Sequence, residues 1–562
     1  MWKCPVCDKE DNAETVCPTC GYDRTCDYEQ YPTAFTVKRA TPTRTLRRQW
    51  QAKQNPPTNP QPQPAAPLTA QPAPTAAPAK KKSGLWKALA VVAVIAIVIA
   101  VVNQEKSSNK TPANSGKPSA EYTEDFAEDY VNICLNGGTI STQTVEDTQN
   151  LLKEHSCTKL RISGGTVNAA SMEQISKLTD VEQIEFYLCE KVADLDRLSK
   201  MTNLSSITLN AASYMDLAGI EDIGSLRSLV IFMCNPANLQ GLINATQLTH
   251  LEVRKSRFDS LPVSNLTNLK YLELDSSQVS DLRPLSNLRN LSSLSITGNR
   301  ITSLAGLENL TALKTLRLNN NQISDLRPLT NLRYLTELNI ESNQITSLAG
   351  LENLTALKTL RLNNNQISDL RPLTNLRYLT ELNIESNQIT SLAGLENLKR
   401  LTTLYVSGNQ ITTLAGLENL TNLTYLVLNN NQISDLQPLS SLINLEGLFV
   451  DDNQISDLQP LSSLINLEEV LSVCNNQISD LRPISGLTNL RRLYINGNQI
   501  TSLAGLENLT KLTDLEIGSN QITSLAGLEN LTKLTRIYAP GNPLTDTSAL
   551  EVSGCMDALY TG

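Results

Sequence analysis

Leu313-Lys-Thr-Leu316-Arg-Leu318-Asn-Asn-Asn321-Gln-Ile323-Ser-Asp-Leu326-Arg-Pro-Leu329-Thr-Asn-Leu332 is one unit of a pattern that dominates the chain after residue 133. Leu316 and Leu318 alternate at period two, which marks a short strand with one buried face. Asn321 ends that strand. Its amide carries both a donor and an acceptor, so it can satisfy backbone groups at a buried turn. Ile323, Leu326, Leu329 and Leu332 then recur every third residue, which suits a tight 3₁₀-like return. The Asn recurs at 299, 321, 343, 365, 387, 409, 431 and 453, always 22 apart, and again at 476, 498, 520 and 542 after one inserted residue. Such a period means stacked coils, each burying its apolar side against its neighbours.

The frame runs backwards in degraded form. Ser277, Ser256, Cys234, Ala212, Cys189 and Gly165 take the Asn position, and Leu135-Asn-Gly-Gly138-Thr-Ile140 echoes Ile162-Ser-Gly-Gly165-Thr-Val167. The count is 19 coils, the first of them longer, with an amphipathic helix expected at Gln143–His155. Cys189 and Cys234 are expected to be buried and structural. Residues 301–354 recur unchanged at 345–398, which points to tandem duplication.

The composition agrees. The 562 residues are too many for one core. They are 40% hydrophobic but only 4% aromatic, so Leu and Ile must carry the packing. Residues 1–102 hold 13 Lys/Arg against 7 Asp/Glu, a balance of +6, so the net charge of −9 leaves −15 on the remainder. An acidic repeat region repels phosphates, and no nucleic-acid partner is expected there.

Before the repeats come three other segments. Residues 1–25 hold Cys4-Pro-Val-Cys7 and Cys17-Pro-Thr-Cys20, two C-x2-C knuckles with nine residues between them. Four thiolates at this spacing suit one structural, tetrahedral zinc ion, which would supply the folding free energy of so small a module. Iron in the same cage is the alternative. Residues 26–84 are a basic, then Pro-rich linker. Nine Pro fall within Pro56–Ala79, and that chain would reach roughly 70 Å at about 3.1 Å per residue. Residues 85–102 are apolar apart from Lys87 near the edge, and span about 27 Å as a helix, close to one bilayer core. Lys80, Lys81, Lys82 and Lys87 on the leading side, together with thiolates that persist best in a reducing cytosol, place the N-terminus inside. Residues 103–120 form a polar stalk, and 121–562 the repeat domain with its N-terminal helical cap.

The 22-residue unit resembles the leucine-rich repeats of the internalin class of bacterial surface proteins, over about 400 residues. The first 25 residues resemble the short zinc ribbons of bacterial membrane proteins. The first resemblance implies an α/β repeat fold: a leucine-rich-repeat solenoid, a horseshoe with a parallel sheet on its concave side and a protein or glycan ligand on that sheet. With the ribbon and the span, it implies a single-pass membrane protein with its repeats outside the cell. No C-terminal wall-sorting motif follows the repeats, so no particular internalin receptor is carried over.

Outward strand positions follow from the frame. In the duplicated coils they are Thr315, Arg317, Asn319, Glu337, Asn339 and Glu341, where cross-strand Arg–Glu pairing is expected. In later coils Tyr405, Tyr425, Val427, Phe449, Tyr494 and Tyr538 face the same way. These large, half-polar side chains suit a recognition surface. The two His, His155 and His250, have no nucleophile motif beside them, and Asp451-Asp452 reads as a solvated turn. No enzyme is expected. The function expected is a membrane-anchored receptor or adhesin for an extracellular protein or polysaccharide. The alternative is an envelope scaffold or signalling protein whose cytosolic ribbon binds a partner.

Overall fold

The computed structural model describes residues 117–123, 129–234, 239–258 and 260–561. The expected ribbon at 1–25, with Cys4, Cys7, Cys17 and Cys20, and the expected span at 85–102 lie outside them. Among the described residues no helix is long and apolar enough to cross a membrane.

The repeat unit is one 21-stranded sheet. Its first strand, Ser119–Thr123, pairs antiparallel with Tyr130–Cys134. Every later pairing is parallel, coil against coil, from Tyr130–Cys134 on Lys159–Ser163 to Arg536–Tyr538 on Leu559–Tyr560. The strands from Tyr130 to Tyr538 match the 19 expected coils, and Leu559–Tyr560 adds one more at the C-terminal edge. The first coils have five-residue strands and the later ones three.

Each strand buries alternate residues. Leu316 and Leu318 are fully buried, while Thr315 and Arg317 face out. The returns bury Ile323, Leu326, Leu329 and Leu332 as the threefold spacing requires. Two kinds of return alternate through the duplicated coils. Asp325-Leu-Arg-Pro-Leu329 forms a 3₁₀ turn at Arg327–Leu329, whose Pro fixes φ where no N–H is needed. Ser347-Leu-Ala-Gly350 instead turns at Gly350, with φ +106°. The early coils close their return side differently, with a three-stranded sheet of Thr166–Val167, Lys191–Val192 and Tyr214–Met215.

The expected N-terminal helix runs Thr142–Glu154. Ser141 caps it, its hydroxyl accepting from the Thr144 N–H at 3.1 Å. A second helix, Ala169–Ile175, is capped by Asn168.

The Asn ladder is the repeat's polar spine. Asn387 is 8% exposed. Its Nδ2 donates to the carbonyls of Leu362 and Ile384, each at 3.1 Å, and its Oδ1 accepts from the Ile367 N–H at 3.0 Å. One side chain thus joins its own coil to the coil before. Cys189 and Cys234 keep the buried position, with thiols on the carbonyls of Ile162 at 3.4 Å and Leu209 at 3.5 Å. Burial pushes the Cys189 thiol up to about 12.

Candidate functional site

The outer face of the sheet carries two columns of side chains in the later coils. One column runs Asn383, Tyr405, Val427, Phe449, Ser472, Tyr494, Glu516, Tyr538, Tyr560 in register. The other includes Thr403, Tyr425, Gly447, Val470, Arg492, Asp514 and Arg536. Parallel strands stand about 4.8 Å apart. Tyr405, Val427 and Phe449 therefore form one half-buried apolar run across three consecutive strands.

The six residues expected to act together are divided. Ser472 interrupts the column after Phe449. It is 3% exposed and its hydroxyl donates to Asp451 Oδ1 at 2.6 Å. Tyr494 stands beyond it. Glu516 then separates Tyr494 from Tyr538, accepting from Asn496 at 2.8 Å and pairing with Arg536 at 2.7 Å. Tyr538 stacks instead on Tyr560, centroids 5.4 Å apart. Tyr425 belongs to the chain's own packing. Its ring lies over Gly447, where a Cβ would come within 2.8 Å of Cε1, and its hydroxyl bonds the Glu469 carboxylate.

Electrostatics sharpen the run. Partial burial, then the carboxylates of Glu381 and Glu385, push the Tyr405 hydroxyl above its ordinary value. Burial, then Asp514, does the same to Tyr494. Both phenols stay protonated donors at any physiological pH. The expected charge bands flank the run: Arg317 meets Glu337, and Arg361 meets Glu381, each at 2.9 Å. These pairs are exposed enough to contribute little to stability.

Aromatics are not confined to the later coils. The early coils hold a second, denser network. The Arg161 guanidinium lies 3.8 Å over the Tyr130 ring, bonds that Tyr hydroxyl, and meets Glu185 at 2.8 Å. Tyr187 lies 5.2 Å away. Farther along, His250 opens a strand, stacks on Tyr271 at 4.2 Å and reaches Glu252 at 2.8 Å. Arg254 meets Glu252 at 2.7 Å and lies over Phe232. The His250 hydrogen bond holds Glu252 below the usual carboxylate range, whereas burial raises Glu273, one strand over. Tyr187 and Phe232 sit two residues before Cys189 and Cys234. Asn319 and Glu341 hold the same position in the duplicated coils, just past their three-residue strands.

Among the described residues no group of three or more His, Cys, Asp or Glu is placed to hold a metal ion.

The family model for leucine-rich repeats in two copies matches seven segments from 289 to 508, broken only at 376–377. Residues 289–508 are leucine-rich repeats. A comparison with curated proteins finds no match. Among solved structures, the leucine-rich-repeat sheet resembles a leucine-rich-repeat protein of Leptospira interrogans, at TM-score 0.61 and 24% identity over 70% of this chain and 98% of that one. An internalin (inlF) of Listeria monocytogenes is 32% identical over 57% of this chain and 88% of its own, with TM-score 0.49. A plant peptide hormone receptor in complex with RGF2 is 18% identical over 75% of this chain and 79% of its own, with TM-score 0.53. The Leptospira and plant likenesses establish the leucine-rich-repeat fold.

Proposed function

We propose that the chain is a membrane-anchored binding protein, not an enzyme, whose leucine-rich repeats capture an extracellular protein or glycan on the outer face of the sheet. The observation that carries this reading is the run Tyr405–Val427–Phe449. It is contiguous and half-buried, and no hydrogen bond among the described residues engages the Tyr405 hydroxyl. Desolvating such aromatics contributes far more to binding than a rim charge pair. Tyr494 and Tyr538 would extend the contact, and Tyr425 would supply an edge rather than an anchor. A protein ligand is the better supported choice, since the plant structure of the same fold is a peptide hormone receptor in complex with RGF2.

The test is a pulldown or glycan array with the full chain, followed by titration of the captured ligand. Tyr405→Ala with Phe449→Ala should weaken binding by a hundredfold or more, as loss of two hot-spot residues does, while the circular dichroism spectrum stays unchanged. Full affinity in that double variant would move the site elsewhere, with the Arg161–Tyr187 network the next place to look.

The anchor at 85–102 and the zinc at Cys4, Cys7, Cys17 and Cys20 belong to the same proposal. External protease on intact cells should remove the repeats and spare the ribbon; the reverse would turn the topology round. Metal analysis should find one zinc per chain, lost in Cys7→Ser.

A further inference from the structure

The four residues that lead into each strand form the entry edge of the sheet, and from Lys270 to Arg400 that edge is a stripe of cations. Lys270, Lys314 and Lys358 each stand one residue before a strand, and Arg289, Arg333 and Arg377 stand four before the strands between. Lys399 and Arg400 close the run ahead of Thr403–Tyr405. Main-chain hydrogen bonds stack the edge coil on coil: the N–H groups of Ser292, Lys314, Thr336 and Lys358 donate to the carbonyls of Lys270, Ser292, Lys314 and Thr336, each at 2.8 Å. Seven coils thus present eight cations, along about 30 Å at about 4.8 Å per coil. All eight side chains are exposed, and among the described residues none joins an ion pair.

Carboxylates of the same coils are engaged elsewhere. Asp281, Asp325 and Asp369 pair with Arg283, Arg327 and Arg371 on the returns. Glu308, Glu352 and Glu396 accept the N–H groups of Gly306, Gly350 and Gly394. Residues 270–400 hold 14 Lys/Arg against 12 Asp/Glu, a balance of +2, within a region of −15. Two tyrosines stand among the cations. Tyr334 and Tyr378 occupy the position three before a strand, two coils apart, and are 70% and 52% exposed. The Arg400 guanidinium lies 4.6 Å over the Tyr378 ring. Past Arg400 the edge turns acidic at Glu446 and Glu468, so the stripe has a definite end.

We propose that this edge binds an acidic polysaccharide, a single linear chain laid across the coils with its anionic groups on the cations and its sugar rings on Tyr334 and Tyr378. A regular row of unpaired cations is complementary to a polymer that repeats its own negative charge. The exposed aromatic rings offer flat apolar faces to the C–H faces of sugars, whereas an acidic polypeptide would use the cations and leave the rings uncovered. A bilayer or a nucleic-acid duplex is wider than the stripe, and its charge would meet the acidic remainder of the domain and be repelled. The surface is separate from Tyr405 and Phe449, and its occupation does not depend on theirs.

Isothermal titration of the full chain with octagalacturonate, and separately with a heparin octasaccharide, tests this. At least one should bind, and added salt should weaken it. Binding of the uronate alone would assign carboxylated glycans, and of heparin alone sulfated ones. Arg333→Gln with Arg377→Gln should weaken binding at least tenfold, and Tyr334→Ser with Tyr378→Ser at least threefold. Phe449→Ala should leave it unchanged, and every variant should keep the circular dichroism spectrum of the parent. Neither glycan binding would overturn the proposal, as would parental affinity in either double variant. Octaglutamate binding as tightly would replace the glycan by an acidic polypeptide, and neutral maltooctaose binding as tightly would remove charge from the account. Either result also overturns it.

Discussion

Asp451 stands two residues before the ladder Asn453, where the flanking coils place Asn429 and Cys474, and the coil after that Asn496. Asn429 Oδ1 accepts the next coil's Asp451 N–H at 2.8 Å, and Asn496 Oδ1 accepts the Gly518 N–H at 2.7 Å. Asp451 Oδ1 does the same job, taking the Ser472 hydroxyl and the Cys474 N–H at 2.7 Å. A neutral amide serves there as well as a carboxylate. Burial raises the Asp451 pKa above the ordinary carboxylate value, only partly offset by these hydrogen bonds. The folded state then holds its proton more tightly than the unfolded chain. Asp451 contributes stability below the unfolded value, about 3.9, and that contribution is lost as pH rises through the folded value. Asp451→Asn should therefore raise the melting temperature at pH 7 by up to a few degrees. The gain should vanish as the pH falls below the unfolded value. A variant less stable at pH 7, or equally shifted at every pH, would contradict this. The sequence reading placed Asp451 in a solvated turn. Its side chain is instead held by the following coil, as Asp275 is held by the Ser295 hydroxyl and the Thr297 N–H.

At the scale of the element, the return after each strand decides which residues are tolerated. Gly350 turns at φ +106°, and a Cβ there would lie 2.5 Å from the Leu326 carbonyl oxygen of the coil before. Both the backbone conformation and the close approach exclude a side chain. Gly350→Ala should destabilise the domain by roughly 1–3 kcal/mol, read from denaturant melts. Gly486 has an ordinary φ and nothing nearer its Cβ position than Ser462 O at 4.0 Å, so Gly486→Ala should be close to neutral, within about 0.5 kcal/mol. Equal effects at the two positions would show that coil contact does not set the requirement. The threefold Leu spacing foretold a tight return but not its alternation between 3₁₀ and Gly turns. Both returns bury apolar residues at the same spacing, and the polar positions between them distinguish the two: Asp325, Arg327 and Pro328 in one, Ser347, Gly350 and Glu352 in the other. Strand length also escaped the pattern. A period-two signal is the same for three residues as for five, and the neighbour's hydrogen bonds decide where it stops.

For the whole molecule, the stack predicts modular behaviour. Residues 345–388 contain the strands Thr359–Arg361 and Glu381–Asn383. Deleting them joins Gln344 to Ile389, the same Gln–Ile junction that exists at 345. It also places Glu337, Asn339 and Glu341 where Glu381, Asn383 and Glu385 had met the Tyr405 coil. Each coil touches only its neighbours, so stability is a sum of coil and interface contributions. The shortened chain should fold cooperatively, with a sheet two strands shorter. Ligand affinity should stay within about threefold of the parent, well inside the 1.4 kcal/mol that a tenfold change represents. Loss of binding would show that the ligand spans the duplicated coils, and loss of folding would show that the coils are not interchangeable.

What the sequence by itself determined is the repeat: its period, its buried Leu and Ile, the ladder Asn with its Cys and Ser replacements, and the outward direction of Tyr405, Val427 and Phe449. These follow from local alternation and from one polar position that the core cannot leave unpaired. Only the tertiary structure decided which outward residues are neighbours. Register between coils put Ser472 and Glu516 between the aromatics, laid Tyr425 over Gly447 and toward Glu469, and stacked Tyr538 on Tyr560. It also stacked the entry-edge cations of successive coils into one stripe. Such pairings join residues about 20 to 45 positions apart. Their partners are fixed by how one coil seats on the next, and no window along the chain contains that information.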